Sequence, residues 1–292
     1  MRVRAGVAGA VTAVALAATA LAQDPARPVG SFGGGSVLAP PKDPLGAGSA
    51  VVGMRAAADG RLQIEATVRG RCGGGTFPAR TTVADDGSFL TMGTSRRRPE
   101  PGVRLKTTYE IGGTLTAAGV RDGRAKTTSE IRVSGEKTAR CRSGTVAFQV
   151  RRPTTGLGAP GAAPRARYYG ITSETRNRTR RGIVMRVSSD GRSLTRALYA
   201  VTLTCGKLKL PDVVDTPRRS LRIDADGRVK DRVLSTSRDA TTVTSADERF
   251  SGKLGSTGAS GTLSITERTR SRVTGRLVET CRTGSIGWTA VP

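Results

Sequence analysis

Four cysteines divide the chain into two similar halves. Cys72 and Cys205 each end a run of alternating apolar and polar residues, at positions 62–72 and 197–205. Cys141 opens the segment Cys-Arg-Ser-Gly-Thr-Val-Ala-Phe, and Cys281 opens the similar segment Cys-Arg-Thr-Gly-Ser-Ile-Gly-Trp. Matching cysteines at matching places predict a duplicated module, with each copy closed by its own disulfide.

Four cysteines allow three disulfide connectivities. The repeat favours Cys72–Cys141 and Cys205–Cys281, because tandem copies that fold alone must pair within themselves. In the chain-entropy model, each bridge would close a loop of about 70 residues and stabilise the fold by roughly 4 kcal/mol. Free, buried thiols are the alternative.

The first 22 residues have the pattern of a signal peptide. Arg2 and Arg4 precede an apolar run at residues 6–21, which ends in the small-x-small sequence Ala20-Leu21-Ala22. The run is short for a membrane span, which needs about 20 apolar residues, and a retained N-terminal anchor is the alternative. We therefore expect a secreted or envelope-associated protein without a transmembrane segment, in a compartment where disulfides form.

Composition divides the rest of the chain. Residues 23–48 are rich in Pro and Gly and predict a loose leader that supplies at most one edge strand, near residues 29–37. Residues 49–150 are predicted to form the first module, and residues 151–167 a Pro/Gly/Ala linker. Residues 168–292 are predicted to form the second module, and we expect the protein to be a monomer.

Alternation with a period of two predicts half-buried β-strands. Leu62, Ile64 and Ala66 fall on one face of their strand, for example. Hairpin turns are indicated by five Asp-Gly dipeptides, which begin at Asp59, Asp86, Asp122, Asp190 and Asp226. The predicted fold class is all-β, with two tandem antiparallel meander modules, each a β-sandwich or a flattened barrel.

Further segments align between the copies. The pairs are 85–89 with 225–229, Gly113-Thr-Leu115 with Gly252-Lys-Leu254, and Val146, Phe148 and Val150 with Ile286, Trp288 and Ala290. Ser31-Phe-Gly-Gly-Gly is the predicted counterpart of Tyr168-Tyr-Gly-Ile-Thr.

The formal net charge of +25 predicts attraction to polyanions. The alternative is that the charge reflects genome composition rather than a binding function, since the Arg, Ala and Gly content is typical of a high-GC genome. Guanidinium groups suit phosphate and carboxylate partners. The predicted polyanion-binding residues are Arg96, Arg97, Arg98, Arg176, Arg178, Arg180, Arg181, Arg268, Arg270 and Arg272.

The residues argue against an enzyme. The chain has no histidine, and its cysteines are assigned to disulfides, so the common nucleophile arrangements and most zinc sites are absent. Paired carboxylates remain an alternative for glycoside hydrolysis, with candidates Asp85, Asp86, Glu110, Glu130, Asp224, Asp226, Glu248 and Glu267. The sequence Asp224-Ala-Asp226-Gly227 resembles the start of a calcium loop, but a hairpin turn is favoured. We predict no catalytic residue, metal or cofactor.

The mature chain resembles secreted, tandemly repeated β-module proteins of unknown function from high-GC Gram-positive bacteria. The resemblance is carried by Tyr169-Gly-Ile-Thr, the strand ending at Cys205, the Asp-Gly hairpins and the closing segment from Cys281 to Trp288. It implies tandem β-modules and export, and no activity.

The leading functional hypothesis is a secreted, non-catalytic protein that binds anionic envelope polymers or polysaccharide through Arg-rich strand faces. Few aromatic residues are present, so specific nucleic-acid recognition is not expected. One alternative is a carrier with an apolar ligand cavity in each barrel. Another is a structural spacer without a ligand.

Overall fold

The computed structural model describes residues 27–36, 48–70, 73–98, 102–134 and 136–292. This part of the chain consists of β-strands and turns, and none of it is a helix that could cross a bilayer. The all-β prediction is confirmed. The predicted signal peptide, most of the leader and Cys72 lie outside the described residues.

Module 1 is one antiparallel sheet with the strand order β4-β3-β2-β1-β8-β7-β6-β5. Strands β4 and β5 stand at opposite ends of this order although they are consecutive along the chain. They meet at a seam, where Thr81 Oγ1 donates a hydrogen bond to the Leu90 carbonyl at 3.0 Å. The sheet therefore curls into a barrel-like form. The strands are β1 Gly30–Ser36, β2 Ser49–Ala56, β3 Arg61–Gly70, β4 Gly73–Thr82, β5 Ser88–Arg97, β6 Val103–Thr116, β7 Gly119–Val133 and β8 Glu136–Arg151.

Module 2 repeats this plan with the order β12-β11-β10-β9-β17-β15-β14-β13. The place of β8 is taken by two strands, since β16 pairs with β15 and β11 while β17 pairs with β15 and β9. The strands are β9 Arg167–Arg176, β10 Thr179–Val187, β11 Ser193–Cys205, β12 Leu208–Arg222, β13 Arg228–Arg238, β14 Thr242–Leu254, β15 Ala259–Ser271, β16 Leu277–Arg282 and β17 Ile286–Val291.

Each module surrounds its own apolar core. Inside each module an aromatic ring lies over strand glycine, one position beneath Phe148 and two beneath Trp288. A Cβ at Gly123 would lie 2.6 Å from Phe148, and a Cβ at Gly252 or Gly261 would lie 2.4 or 2.5 Å from Trp288. The glycines therefore provide the space that the rings fill.

Strand β1 corrects two sequence expectations. It lies between β2 and β8, inside the sheet rather than at its edge. Its register is also shifted by one residue from the predicted alignment, because Ser36 pairs with Phe148 as Thr172 pairs with Trp288. Phe32 therefore corresponds to Tyr168, and both are buried. The three glycines that follow Phe32 have no side chains to mark the period of two, so sequence matching slips by one position.

The Cys205–Cys281 disulfide is present as predicted. Both cysteines belong to the core of module 2 and are register partners on the neighbouring strands β11 and β16. The bridge therefore joins adjacent strands of the sheet and does not cross the core. Cys141 is disulfide-bonded, and its predicted partner Cys72 lies outside the described residues.

The modules pack back to back through β1 and β2 of one and β9 and β10 of the other. Their backbones come close enough that a Cβ at Gly33 would lie 2.2 Å from the Gly170 carbonyl oxygen, and one at Gly53 only 1.8 Å from that of Arg180. A small apolar cluster completes the contact, formed by Val51, Tyr169, Val184, Leu198 and Ala200. The predicted linker also has fixed contacts, since Ser256 N donates to Ala159 O and Gly161 N to Leu254 O.

Candidate functional site

The outer face of β5–β8 carries a dense set of basic side chains. Alternation turns every second residue outward, and antiparallel pairing sets these residues side by side. One row crosses all four strands as Arg96, Lys106, Glu130 and Arg140, each the register partner of the next. The basic residues of this face, here called the basic face, are Arg96, Arg104, Lys106, Arg124, Lys126, Arg132, Arg140 and Arg142.

All eight of these side chains are exposed. None has a carboxylate oxygen within 4.0 Å among the described residues. Glu110 and Glu130 lie between them on the same strands. The positive charge of the face is therefore only partly balanced, and its donors are available to an external anion.

The corresponding face of module 2, on β13–β16, is also basic, but part of its charge is paired within the module. Arg232 donates two hydrogen bonds of 2.9 Å to the Asp247 carboxylate, and Arg249 donates a third of 3.2 Å. The hydrogen bonds from Arg232 are the main reason that the pKa of Asp247 falls to about 2. These two arginines already have an anionic partner within the module.

The predicted Arg clusters divide between several surfaces. Arg96 belongs to the basic face, whereas Arg97 has its side chain on the opposite side and donates to the Thr76 carbonyl at 3.2 Å. Arg98 is exposed beyond the end of β5. At the turn between β9 and β10, Arg178 and Arg180 are exposed.

Arg268, Arg270 and Arg272, three of the predicted polyanion-binding residues, are exposed on one face. Two of these side chains also support neighbouring turns. Arg270 Nη1 donates to the Gly275 carbonyl at 3.2 Å, and Arg272 Nη1 to the Asp239 carbonyl at 2.8 Å.

Arg181 does not face solvent, which is a correction to its predicted role. Its side chain is buried between the modules, where Nη2 lies 3.3 Å from Glu65 Oε1 of β3 and Nε lies 3.9 Å from Glu174 Oε2 of β9. Its Nη1 donates to the Val201 carbonyl. Arg176, also predicted as a surface residue, is half-buried at 4.0 Å from Glu65.

Burial raises the pKa of Glu65, and the charges of Arg181 and Arg176 oppose that rise. Glu65 is 3% exposed, and its carboxylate accepts no hydrogen bond from the described residues. Buried charges of this kind are retained only when a counter-charge compensates their lost hydration. The cluster links the modules and offers no opening to a polymer.

Three of the eight carboxylates considered for hydrolysis accept hydrogen bonds with structural roles. Asp86 accepts from Ser88 N at 2.8 Å, and Asp224 accepts from Asp226 N and Arg228 N at 3.0 and 2.7 Å. The sequence resembling a calcium loop is thus a tight turn between β12 and β13, two strands that are not register partners, rather than the predicted hairpin. Inside module 2, buried Glu248 accepts a hydrogen bond from Tyr199.

Two surface cavities accompany the strands β5–β7 and β13–β15. The first has a volume of about 460 Å³ beside Met92, Tyr109 and Lys126, and the second about 530 Å³ beside Arg232 and Phe250. Both are open to solvent and are lined by charged and hydroxyl groups as well as apolar ones. The inward faces of the described strands carry the buried apolar residues of the two cores.

Comparison with known proteins adds little. No family model matches the chain, and no curated protein matches it. A solved structure to which the chain is similar is a protein with unknown function from the DUF3598 family of Nostoc punctiforme PCC 73102. The two are 9% identical over 90% of this chain and 95% of that one, with a TM-score of 0.17, a value from which nothing is inferred.

Proposed function

We propose that the chain is a secreted, non-catalytic protein that binds an anionic polymer of the cell envelope on the basic face of module 1. The observation that carries this proposal is the set of eight exposed basic side chains on neighbouring strands, none of which forms an ion pair with another described residue. A polymer with regularly spaced phosphates or carboxylates matches such a surface, because each anionic group can meet an Arg or Lys on a neighbouring strand.

The extended sheet favours a linear polymer over a small ligand. Rows of basic residues on adjacent strands are separated by about 4.8 Å, so a chain lying across β5–β8 would meet several charges in succession. Binding of this type depends on released counterions and weakens as salt rises.

The test compares two variants that lose the same charge. The face variant carries Arg96→Gln, Lys106→Gln and Arg140→Gln. The control variant carries Arg165→Gln, Arg192→Gln and Arg228→Gln, which are exposed residues within or beside turns outside the basic face. Binding to polyphosphate, to polygalacturonate and to purified Gram-positive cell wall is measured across a salt series.

We expect the face variant to bind at least tenfold more weakly and to lose about three units of the salt slope, one for each lost contact. The control should keep most of both. Equal losses in the two variants would disprove the assignment to this face. Absence of binding by the wild-type protein to all three materials would favour the spacer hypothesis.

A further inference from the structure

One end of module 2 exposes a concentration of large apolar side chains. Nine such side chains are exposed among the described residues, and four lie where β11, β15 and β16 end or begin. Val273 is 91% exposed, Leu208 and Val278 are 62% exposed, and Leu277 is 52% exposed. These four residues are here called the apolar end. Exposed apolar clusters mark surfaces that meet a partner or a membrane.

The exposure is built into an ordered hairpin tip. Ser271 N donates to Arg276 O at 2.9 Å, and Gly275 N donates to Ser271 O at 2.9 Å. Arg272 N also donates to Thr241 O at 2.8 Å, which joins this tip to the neighbouring β13–β14 turn. The apolar side chains are therefore held in solvent by a closed turn.

The disulfide connects the hairpin that carries Leu208 to the strand that carries Leu277 and Val278. Leu208 is the register partner of Cys205, which is bonded to Cys281 on the strand that begins at Leu277. Both hairpins thus present their apolar residues at the same end of the barrel.

Basic side chains surround this apolar centre, and all are exposed. They are Lys207, Lys209, Arg238, Arg270, Arg272 and Arg276. The neighbouring acids are Asp239, whose oxygens accept hydrogen bonds from Thr241 and Thr242, and Glu279. The end therefore combines exposed apolar groups with an excess of positive charge.

We propose that the apolar end of module 2 docks on a bilayer that contains anionic lipids. Apolar side chains enter the boundary between headgroups and acyl chains, while surrounding Lys and Arg side chains meet lipid phosphates. A dissolved anionic polymer would satisfy the charges but would leave the apolar residues in water. This proposal does not depend on the basic face of module 1.

Module 1 does not carry an equivalent feature in its described part. At its β7–β8 turn the exposed large apolar residue is Val133, at 41%. The orientation is therefore expected to be specific, with module 2 facing the membrane and the basic face of module 1 left free.

The first test is co-sedimentation of the mature protein with vesicles. The vesicles contain either phosphatidylcholine alone or equal parts of phosphatidylcholine and phosphatidylglycerol. The tip variant carries Val273→Ser, Leu277→Ser and Val278→Ser, which keeps every charge. The matched control carries Leu90→Ser and Met92→Ser, at positions that are 56% and 70% exposed on module 1.

We expect wild-type protein and the control to bind the anionic vesicles, and the tip variant to bind at least tenfold more weakly. Equal binding by the tip variant would show attraction by charge alone and overturn the proposal. Circular dichroism establishes that the tip variant is folded, and an assay for free thiols establishes that its disulfide has formed.

The second test detects insertion of the apolar end into the bilayer directly. It does not depend on a variant that binds more weakly. The native Trp288 is buried and 2% exposed, so a Val273→Trp variant adds a reporter whose response stands above a constant background. Its emission should shift to the blue with anionic vesicles and be quenched by brominated lipids. An unchanged emission would overturn the proposal. Adding Arg96→Gln, Lys106→Gln and Arg140→Gln to the Val273→Trp variant should leave this shift unchanged, which separates this proposal from polymer binding.

Discussion

At the residue scale, the buried charges between the modules are the groups that depend most on their surroundings. Arg181 and Glu65 have side chains that are 0% and 2% exposed. Each has lost its hydration, and each depends on the other for compensation. Removing one partner is therefore more costly than removing both.

We predict that Arg181→Met destabilises the protein by about 3–5 kcal/mol, because Glu65 is left as an uncompensated buried charge. Adding Glu65→Gln to that variant should restore part of the loss, since a neutral amide needs no counter-charge. Urea unfolding of the two single variants and the double variant measures the coupling. Strictly additive effects would contradict the pairing.

The raised pKa of Glu65 predicts a dependence on pH. The folded protein holds a proton on Glu65 above pH 4.5, the ordinary pKa, where the unfolded chain has lost it. The contribution of Glu65 to the free energy of unfolding is therefore largest below that pH and falls as the pH rises through the folded pKa. The stability of wild type relative to Glu65→Gln should decline as the pH rises above about 4.5. A constant difference between the two unfolding curves would be the contrary result.

The glycine positions beneath Trp288 give a matched pair of substitutions. A Cβ at Gly261 would lie 2.0 Å from the Ser251 carbonyl oxygen and 2.5 Å from Trp288, whereas one at Gly287 would have its nearest atom at 3.7 Å. We predict a loss of about 1–3 kcal/mol for Gly261→Ala from overpacking. Thermal unfolding should show little change for Gly287→Ala, and equal effects would count against the packing argument.

At the scale of elements, strand β16 and its disulfide hold one end of module 2 together. The strand has six residues, and it joins β15 to the last two residues of β11. Because it is short, its ladder contributes few hydrogen bonds. The covalent link to Cys205 therefore supplies much of its attachment.

Replacement of both cysteines, as Cys205→Ser with Cys281→Ser, should destabilise module 2 by about 4 kcal/mol, because the bridge closes a loop with a sequence separation of 76. Urea unfolding followed by the fluorescence of Trp288 reports on this module. Conversely, hydrogen exchange in β1–β8 should change little. Equal loss of protection in both modules would indicate that the bridge stabilises the whole molecule.

Strand β1 shows why an element can be misplaced on sequence evidence. Gly33 and Gly35 look like part of a loose leader, because a run of glycines has no alternation. In the fold they are required by close packing, since a Cβ at Gly33 would meet the backbone of β9 and one at Gly35 would meet the backbone of β2. The reason for the glycines lies partly in the other module, about 135 residues away along the chain.

At the scale of the molecule, the two modules form one packed body with different surfaces. Glycine backbones, an apolar cluster and buried charges join them. Within the described residues, the basic face of module 1 has no internal ion pair, whereas module 2 has the ion pairs of Asp247 and the apolar end. The two modules thus share one strand plan and differ in the surfaces that they present to solvent.

We predict that Gly53→Ala uncouples the modules, because its Cβ would lie 1.8 Å from the Arg180 carbonyl oxygen across the interface. Calorimetry should replace one cooperative unfolding transition with two. Small-angle scattering should show a larger radius of gyration. The control is Gly156→Ala, where a Cβ would meet no atom within 4 Å, and it should behave as wild type. A single unchanged transition in Gly53→Ala would contradict the prediction.

The sequence by itself determined the fold class. The period of two and the Asp-Gly turns are local signals within short segments, and the matching cysteines can be read by comparing the two halves. It also indicated that Arg268, Arg270 and Arg272 share a face, since alternation within one strand is sufficient for that. It did not identify Lys106, Arg132 or Arg140 as neighbours of Arg96, nor the burial of Arg181. Those depend on strand register and on the packing of one module against the other, and only the tertiary structure brings such distant residues together.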